Sequence, residues 1–234
     1  MENKPKLVVF VRHAESERNQ MKKGAIYFAD DTARRITGGR SDENINLTPR
    51  GHGQAEQTGV VIREKFGVFD TVYHSGFNRT SQTMEGILKA YSTEEKAMIK
   101  IQMNPFIYER HPGYTYDMTK EEAEAEFPWL DSYWKTFGGY FAQPPGGESL
   151  AQVTQRVYAF FDMLRRDRPG QNIMVVTHGN YLLCVRLFLE QLDFEQVKAW
   201  PADQTPQNCG VTSYRLDEVS NRLILQEYNS VFWK

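Results

Sequence analysis

An apolar run, Leu7-Val8-Val9-Phe10-Val11, stops at Arg12-His13, and a second, Ile173-Met174-Val175-Val176-Thr177, stops at His178-Gly179-Asn180. Runs this short read as buried strands of an α/β sheet, and open parallel sheets gather ligands at the C-terminal ends of their strands. A guanidinium fork placed there matches phosphate oxygens, and a neutral imidazole offers a lone pair able to attack phosphorus. These residue types point to phosphoryl transfer. Taken alone, an Arg-His pair after a strand is also how an ordinary polar loop begins. A third strand, Asp70-Thr71-Val72-Tyr73-His74, is followed by Ser75 and, four residues on, Arg79. This is a strand-to-helix junction, where free N–H groups and the positive helix end favour an anion. A second guanidinium is thereby directed to the same end of the sheet.

In order, Arg12-His13-Ala14-Glu15-Ser16, Ser75 with Arg79 and Gln82-Thr83, Glu109-Arg110, Gly146-Gly147-Glu148-Ser149 and His178-Gly179 resemble the signatures of the histidine phosphatase superfamily. That family includes cofactor-dependent phosphoglycerate mutases and many phosphatases. The resemblance runs from residue 7 to about 215, and five motifs in one order are more specific than any one alone. It implies that His13 is the nucleophile that becomes phosphohistidine, that Arg12 and Arg79 clamp the phosphoryl oxygens, and that His178 is hydrogen-bonded to the transferring group. Asn19 resembles a further phosphate contact. Ser75 and Gly179, which belong to these motifs, and Thr37-Gly38, which resembles the family's mutases locally, are expected among the substrate-binding residues.

A covalent route also needs a proton donor for the leaving oxygen. Glu109, after the strand-like Ile99-Lys100-Ile101-Gln102-Met103, matches the family position of that acid; its alternative role is an ion pair with Arg110 or a neighbour. His74 and His111 read as local or solvent-facing histidines, and His52 as part of a helix opened by Thr48 and Pro49. Fixed donors can stabilise a transferring phosphoryl group by themselves, so neither a metal nor another cofactor is expected.

Mutase and phosphatase differ in what else they must hold. The family's mutases use an Asn-Lys after the acid motif and an Arg-Arg pair further on to hold a carboxylate. Here the first stretch reads Tyr114-Thr115-Tyr116-Asp117-Met118-Thr119-Lys120, and no Arg lies between Arg110 and Arg156. The expected activity is therefore a metal-independent phosphomonoester hydrolase of the histidine acid phosphatase type, acting on a small organic phosphate. Phosphoglycerate mutase, and a non-catalytic phosphate-binding or scaffold relative, are the alternatives. Arg12, His13, Arg79, Glu109 and His178 are all present, which argues against a retired site.

Around these residues strands and helices alternate. Helices are expected over about 48–66, 78–91, 119–137, 149–167 and 180–192, with a closing hairpin of strands 211–216 and 222–228. The expected fold is a three-layer α/β/α sandwich with a mainly parallel central sheet, one domain over residues 1–234. Gly146–Ser149 marks a return to the core, so about 105–147 reads as an inserted, mostly helical cap. Its Tyr114, Tyr116, Phe127, Trp129, Tyr133, Trp134, Phe137, Tyr140 and Phe141 are expected either to line a pocket for an aromatic or nucleotide group or to bury the cap on the core. Gln20 to Ile36 is longer than the compact mutase pattern. With its mixed charges, the run 20–46 reads as a solvated loop, with a lid or a homodimer contact as the alternative.

A chain of 234 residues, 40% hydrophobic, can bury a substantial core as one domain. Its formal charge of −2 gives no global attraction to nucleic acid. Lys4 and Lys6 precede only a five-residue apolar stretch, too short for a signal core or a membrane span. Cys184 and Cys209, in no metal-ligand spacing, suggest reduced thiols, and the expected location is the cytoplasm.

Overall fold

The computed structural model describes residues 4–22, 27–193, 195–196 and 205–234. Their elements are β1 (Leu7–Arg12), α1 (Glu17–Lys22), α2 (Asp31–Thr37), α3 (Pro49–Phe66), β2 (Thr71–His74), α4 (Asn78–Leu88), α5 (Thr93–Met98), β3 (Lys100–Met103), α6 (Lys120–Glu126), α7 (Leu130–Phe141), α8 (Leu150–Asp167), β4 (Asn172–Thr177), α9 (Gly179–Glu190), β5 (Val211–Asp217) and β6 (Arg222–Ser230). The sheet runs β3-β2-β4-β1-β5-β6. Its first four strands are parallel, and β5 and β6 are added antiparallel as the expected hairpin.

Side chains of a strand alternate between faces, and here both faces are covered. Val8, Phe10, Ile173 and Val175 pack with Val157, Phe160 and Leu164 of α8 and Leu182 and Val185 of α9. Leu7, Val9, Val11, Met174 and Val176 turn the other way, onto Ile62 of α3 and Met84 and Ile87 of α4. Burial on both sides is why these strands are uninterrupted apolar runs, and it yields the three-layer α/β/α arrangement.

Helix α3 begins where its signals lie, with the Thr48 side chain accepting from the Gly51 N–H at 3.0 Å and Pro49 in the first turn. Gly51 also fixes how closely α3 approaches the loop after β1: a Cβ there would lie 2.1 Å from the Glu15 carbonyl oxygen. Ser149 and Gln152 form a capping box on α8.

Two expectations change. The single helix over 119–137 is broken into α6 and α7, because Pro128 has no N–H to give and its ring clashes with the preceding turn. The run 20–46 is more than a solvated loop, since it contains α2, capped by Asp30 on the Ala33 N–H at 2.8 Å, and a short turn over Asp42–Asn44. Arg34 of α2 pairs with Glu122 of α6 and so ties this run to the segment between β3 and α8. Among the described residues no helix is long and apolar enough to cross a membrane.

Candidate active site

The register of β1 against β4 sets Arg12 beside Thr177, so the residues that follow emerge side by side. The His13 N–H donates to the Thr177 carbonyl at 2.8 Å, and the rings of His13 and His178 lie 5.2 Å apart, inclined at 62°. Both are buried. Burial, reinforced by Arg79 and Arg12, holds both imidazoles well below the ordinary histidine range, so both are neutral near pH 7.

Neutrality makes the tautomers matter. His13 Nδ1 lies 2.7 Å from the Ala14 carbonyl oxygen. A carbonyl only accepts, so Nδ1 carries the proton and Nε2 keeps a lone pair. The loop is fixed to α4, with the Ala14 N–H donating to Thr83 Oγ1 at 2.9 Å and the Thr83 hydroxyl donating to the Arg79 carbonyl at 2.6 Å. On the other ring, His178 Nε2 lies 2.9 Å from Ser75 Oγ, while Nδ1 is buried and has no hydrogen-bond partner among the described residues.

Two guanidiniums flank this pair. Arg12 lies over Gly179, where a Cβ would sit 3.5 Å from Nε and 3.7 Å from Cζ. It donates to the Pro206 carbonyl, and burial lowers its affinity for the proton, with Glu109 opposing. Arg79 grips Asp42, donating from one terminal nitrogen to Oδ1 and from the other to Oδ2, each at 3.0 Å, and also to the Asp42 carbonyl. The Tyr116 hydroxyl donates to the same Oδ1 at 2.8 Å.

Arg12, His13, Asp42, Arg79 and Tyr116 line a cavity of about 690 Å³ whose walls also include Asn19 and Glu109, whereas His178 is fully buried beside His13 and is not part of the wall. Asn19 Oδ1 accepts from the Ser16 N–H at 3.2 Å and from Asn208 Nδ2 at 3.1 Å, and Asn208 also donates to the His13 carbonyl at 3.0 Å. One Glu109 carboxylate oxygen accepts from the Arg110 backbone N–H at 2.8 Å. That is a local backbone contact, and the charge of Glu109 also acts on Arg12 and Arg110.

Four of the expected substrate-binding residues stand elsewhere. Ser75 is buried behind the cavity and its hydroxyl is occupied by His178 and Thr80. Gly179 underlies Arg12, and Thr37 is fully buried at the end of α2 with Gly38 as its cap. None of the four belongs to the cavity wall. Of the aromatic residues in 105–147 only Tyr116 reaches it, because the others on α7 pack on one another. Trp129 and Tyr133 are 5.8 Å apart and Tyr133 and Phe137 4.9 Å, and Trp129, Phe137 and Phe141 are exposed. The wall is cationic instead, with Arg12, Arg18, Lys22, Arg50, Arg79 and Arg110 against Glu15, Asp42 and Glu109.

A family profile described as the histidine phosphatase superfamily (branch 1) matches residues 8–229. The chain belongs to this superfamily. Within it, the chain is similar to the 2,3-bisphosphoglycerate-dependent phosphoglycerate mutase of Parvibaculum lavamentivorans, 31% identical over 83% of this chain and 85% of that protein. The mutase of the same name from Cytophaga hutchinsonii is 28% identical over 96% and 93%. Solved structures of the same fold include a mycobacterial glucosyl-3-phosphoglycerate phosphatase with inorganic phosphate, 17% identical, TM-score 0.68, covering 96% of this chain and 97% of that one. Another is the alpha-ribazole phosphatase of Shigella flexneri, 20% identical, TM-score 0.68, covering 97% and 98%. By sequence the chain is thus nearer to these mutases, at 28–31% identity, while the phosphatases, at 17–20%, share its fold.

Proposed function

We propose that the chain is a phosphomonoesterase that works through a phosphohistidine on His13. The observation that carries this reading is the His13–Ala14 hydrogen bond, which forces the proton onto Nδ1 and leaves the Nε2 lone pair at a cavity walled by two guanidiniums. In the first step Nε2 attacks phosphorus, the ester oxygen departs, and Glu109 supplies its proton. In the second, water attacks the phosphohistidine and Glu109 takes a proton from it, releasing phosphate and neutral His13. Arg12 and Arg79 carry the charge of the transferring group in both steps, so the route needs no metal.

The substrate is a small organic phosphate. The cationic wall and the outward-facing α7 aromatics speak for a polar or anionic remainder over the aromatic one expected from composition. A mutase reading has its own support in the identity of about 31% to a named mutase and in Arg110, whose guanidinium reaches the cavity and meets the Trp134 ring at 5.9 Å. Against it stands the segment 111–155, which has no Arg to supply the family's cationic pair.

The test is phosphate release from a panel of phosphomonoesters, with and without chelator, run beside a mutase assay on 3-phosphoglycerate. Turnover should pass through an acid-labile phosphoenzyme that His13→Ala abolishes, and vanadate should inhibit. Near-normal turnover by folded His13→Ala would overturn the mechanism, and efficient phosphoglycerate interconversion without phosphate release would favour the mutase.

A further inference from the structure

The residues on either side of Glu109 are held by an ion pair that the mechanism above does not use. Arg156 of α8 meets Glu148 side-on, its Nε donating to Oε1 at 3.0 Å and one terminal nitrogen to Oε2 at 2.9 Å. The other terminal nitrogen donates to the carbonyls of Phe106 and Tyr108, at 2.9 and 3.1 Å, and the guanidinium lies 3.7 Å from the centre of the Tyr108 ring. Glu148 turns to the same loop. Its Oε1 accepts from the Tyr108 hydroxyl at 3.1 Å and its Oε2 from the His111 N–H at 2.9 Å, while its own N–H donates to the His111 carbonyl at 2.9 Å.

Chain continuity does not by itself aim Glu109. From Pro112 the chain runs out through α6 and α7 and returns at Gly147. Before Glu109, the Thr177 hydroxyl ties the Ile107 carbonyl to the end of β4 at 2.7 Å. At Tyr108 and His111 the hold comes from Glu148 and Arg156. That anchor is stiff, because Val157, Phe160 and Leu164 of α8 belong to the core and the capping box of Ser149 and Gln152 fixes the helix start directly after Glu148. The Arg156 and Glu148 side chains are 13% and 17% exposed, and neither belongs to the cavity wall. Burial opposes ionisation of Glu148, but Arg156 and the His111 N–H outweigh it and keep its carboxyl below the ordinary range, so it is ionised near pH 7.

We infer that Glu148 and Arg156 are positioning residues that hold the loop 106–111 so that the Glu109 carboxyl meets the leaving oxygen. The task needs a planar fork. One edge of the guanidinium takes the carboxylate while the remaining nitrogen spans two carbonyls, and a Lys ammonium keeps the charge but cannot do both. The pair touches neither the substrate nor the reacting atoms, so its whole effect passes through Glu109. Loss of the pair should therefore imitate a partial loss of the acid: departure of a group that needs a proton suffers, and departure of one that needs none does not.

This assignment rests on the phosphohistidine reading with Glu109 as its acid, and the experiment separates the two. The quantity to measure is kcat/KM, which reads phosphoenzyme formation, on an alkyl and on an activated aryl phosphate, for Glu148→Gln and Arg156→Lys alone and combined with Glu109→Gln. Each variant alone should lose roughly 10–10²-fold on the alkyl ester, the cost of a misplaced catalytic group, and change less than about threefold on the aryl ester. In the Glu109→Gln background neither should cost anything further on the alkyl ester. Hydrogen exchange of the full chain reads the anchoring without turnover: residues 106–111 should exchange faster in both variants while β1 and β4 keep their protection. Tyr108→Phe, which removes only the hydroxyl on Glu148, should show the same pattern in lesser degree, and serves as the test should the others fail to fold. Equal losses on the two esters would overturn the inference, as would a loss undiminished in the Glu109→Gln background or wild-type turnover of the alkyl ester in every folded variant. Faster exchange of 106–111 in the variants of a protein that forms no phosphoenzyme would instead remove the phosphohistidine reading and leave the pair its hold on the loop.

Discussion

The Asp42 carboxylate meets the Arg79 guanidinium side-on, one oxygen on each terminal nitrogen at 3.0 Å, with the Tyr116 hydroxyl behind it at 2.8 Å. Arg79, proposed above as a clamp on the transferring group, is therefore held in place by a carboxylate from the run between α2 and α3 and by a tyrosine from the segment after β3. Such a bidentate pair fixes the plane of the guanidinium as well as its position.

Removing Asp42 should accordingly affect both stability and turnover. Asp42→Ala leaves a guanidinium only 6% exposed without its main partner, which should cost about 1–3 kcal/mol, read as a lower thermal midpoint. The loosened clamp should also reduce kcat/KM by roughly tenfold or more on every phosphomonoester alike, because it holds the transferred group and not the remainder. An increase in kcat/KM would instead mean that Asp42 competes with the substrate for Arg79.

Acid should destabilise the protein in two stages. His13 and His178 are held well below the ordinary value of about 6.5 by burial and by Arg79 and Arg12. Between that value and their folded pKa values the unfolded chain binds protons that the folded one cannot, so stability present above about 6.5 is lost as pH falls. For Asp42, burial opposes ionisation, but the charge and hydrogen bonds of Arg79 and the Tyr116 hydroxyl outweigh it, and its carboxyl titrates below its ordinary range. Its contribution should persist down to about 3.9 and be lost only as pH falls further. Thermal midpoints measured from pH 8 to 3 should begin to fall near 6.5, while the acid limb of kcat/KM lies lower, since His13 stays neutral there. A midpoint flat from 7 to 5 would contradict the burial of neutral histidines.

The residues at strand ends were legible in the sequence because a doubly buried strand is an unbroken apolar run, and the point where it turns polar is visible in the letters. Arg12, His13 and His178 were found that way, as was the cap of α3 at Thr48. Asp42 was not, since it sits among charges of both signs with no period, and its partner lies 37 residues along the chain. Asn208 was likewise hidden. It reaches the His13 carbonyl only because β5 pairs beside β1. The aromatics of 105–147 misled for a related reason: their number says nothing about which side of α7 meets the cavity. Pro128 was a readable stop inside the expected helix, and it does separate α6 from α7.

Arg110 should set the response to a second anionic group. Its guanidinium reaches the cavity, and among the described residues no carboxylate pairs with it. Arg110→Met keeps much of the aliphatic length and removes the charge. KM for a phosphoester bearing a carboxylate, such as 3-phosphoglycerate, should rise about tenfold, while an uncharged aryl phosphate changes little, and comparison of the two substrates isolates the effect. Equal losses on both would place Arg110 with the clamp instead.

Glu109 should reveal itself through the leaving group. If it protonates the departing oxygen, Glu109→Gln keeps the shape and the contact to the Arg110 N–H in altered form but has no proton to transfer. Esters of ordinary alcohols should then slow by roughly 10²–10⁴-fold, the usual yield of general acid catalysis. An activated aryl ester should slow far less, because a phenolate leaves with little help. Phosphoenzyme should still form from the aryl ester, but its hydrolysis should slow, since the same carboxylate activates water in the second step. Burst kinetics on the aryl ester therefore distinguish the two steps: a visible burst followed by a slow steady state is expected of Glu109→Gln. An equal loss across all leaving groups, with no burst, would remove Glu109 from proton transfer and leave it a place only in holding the loop that carries Arg110.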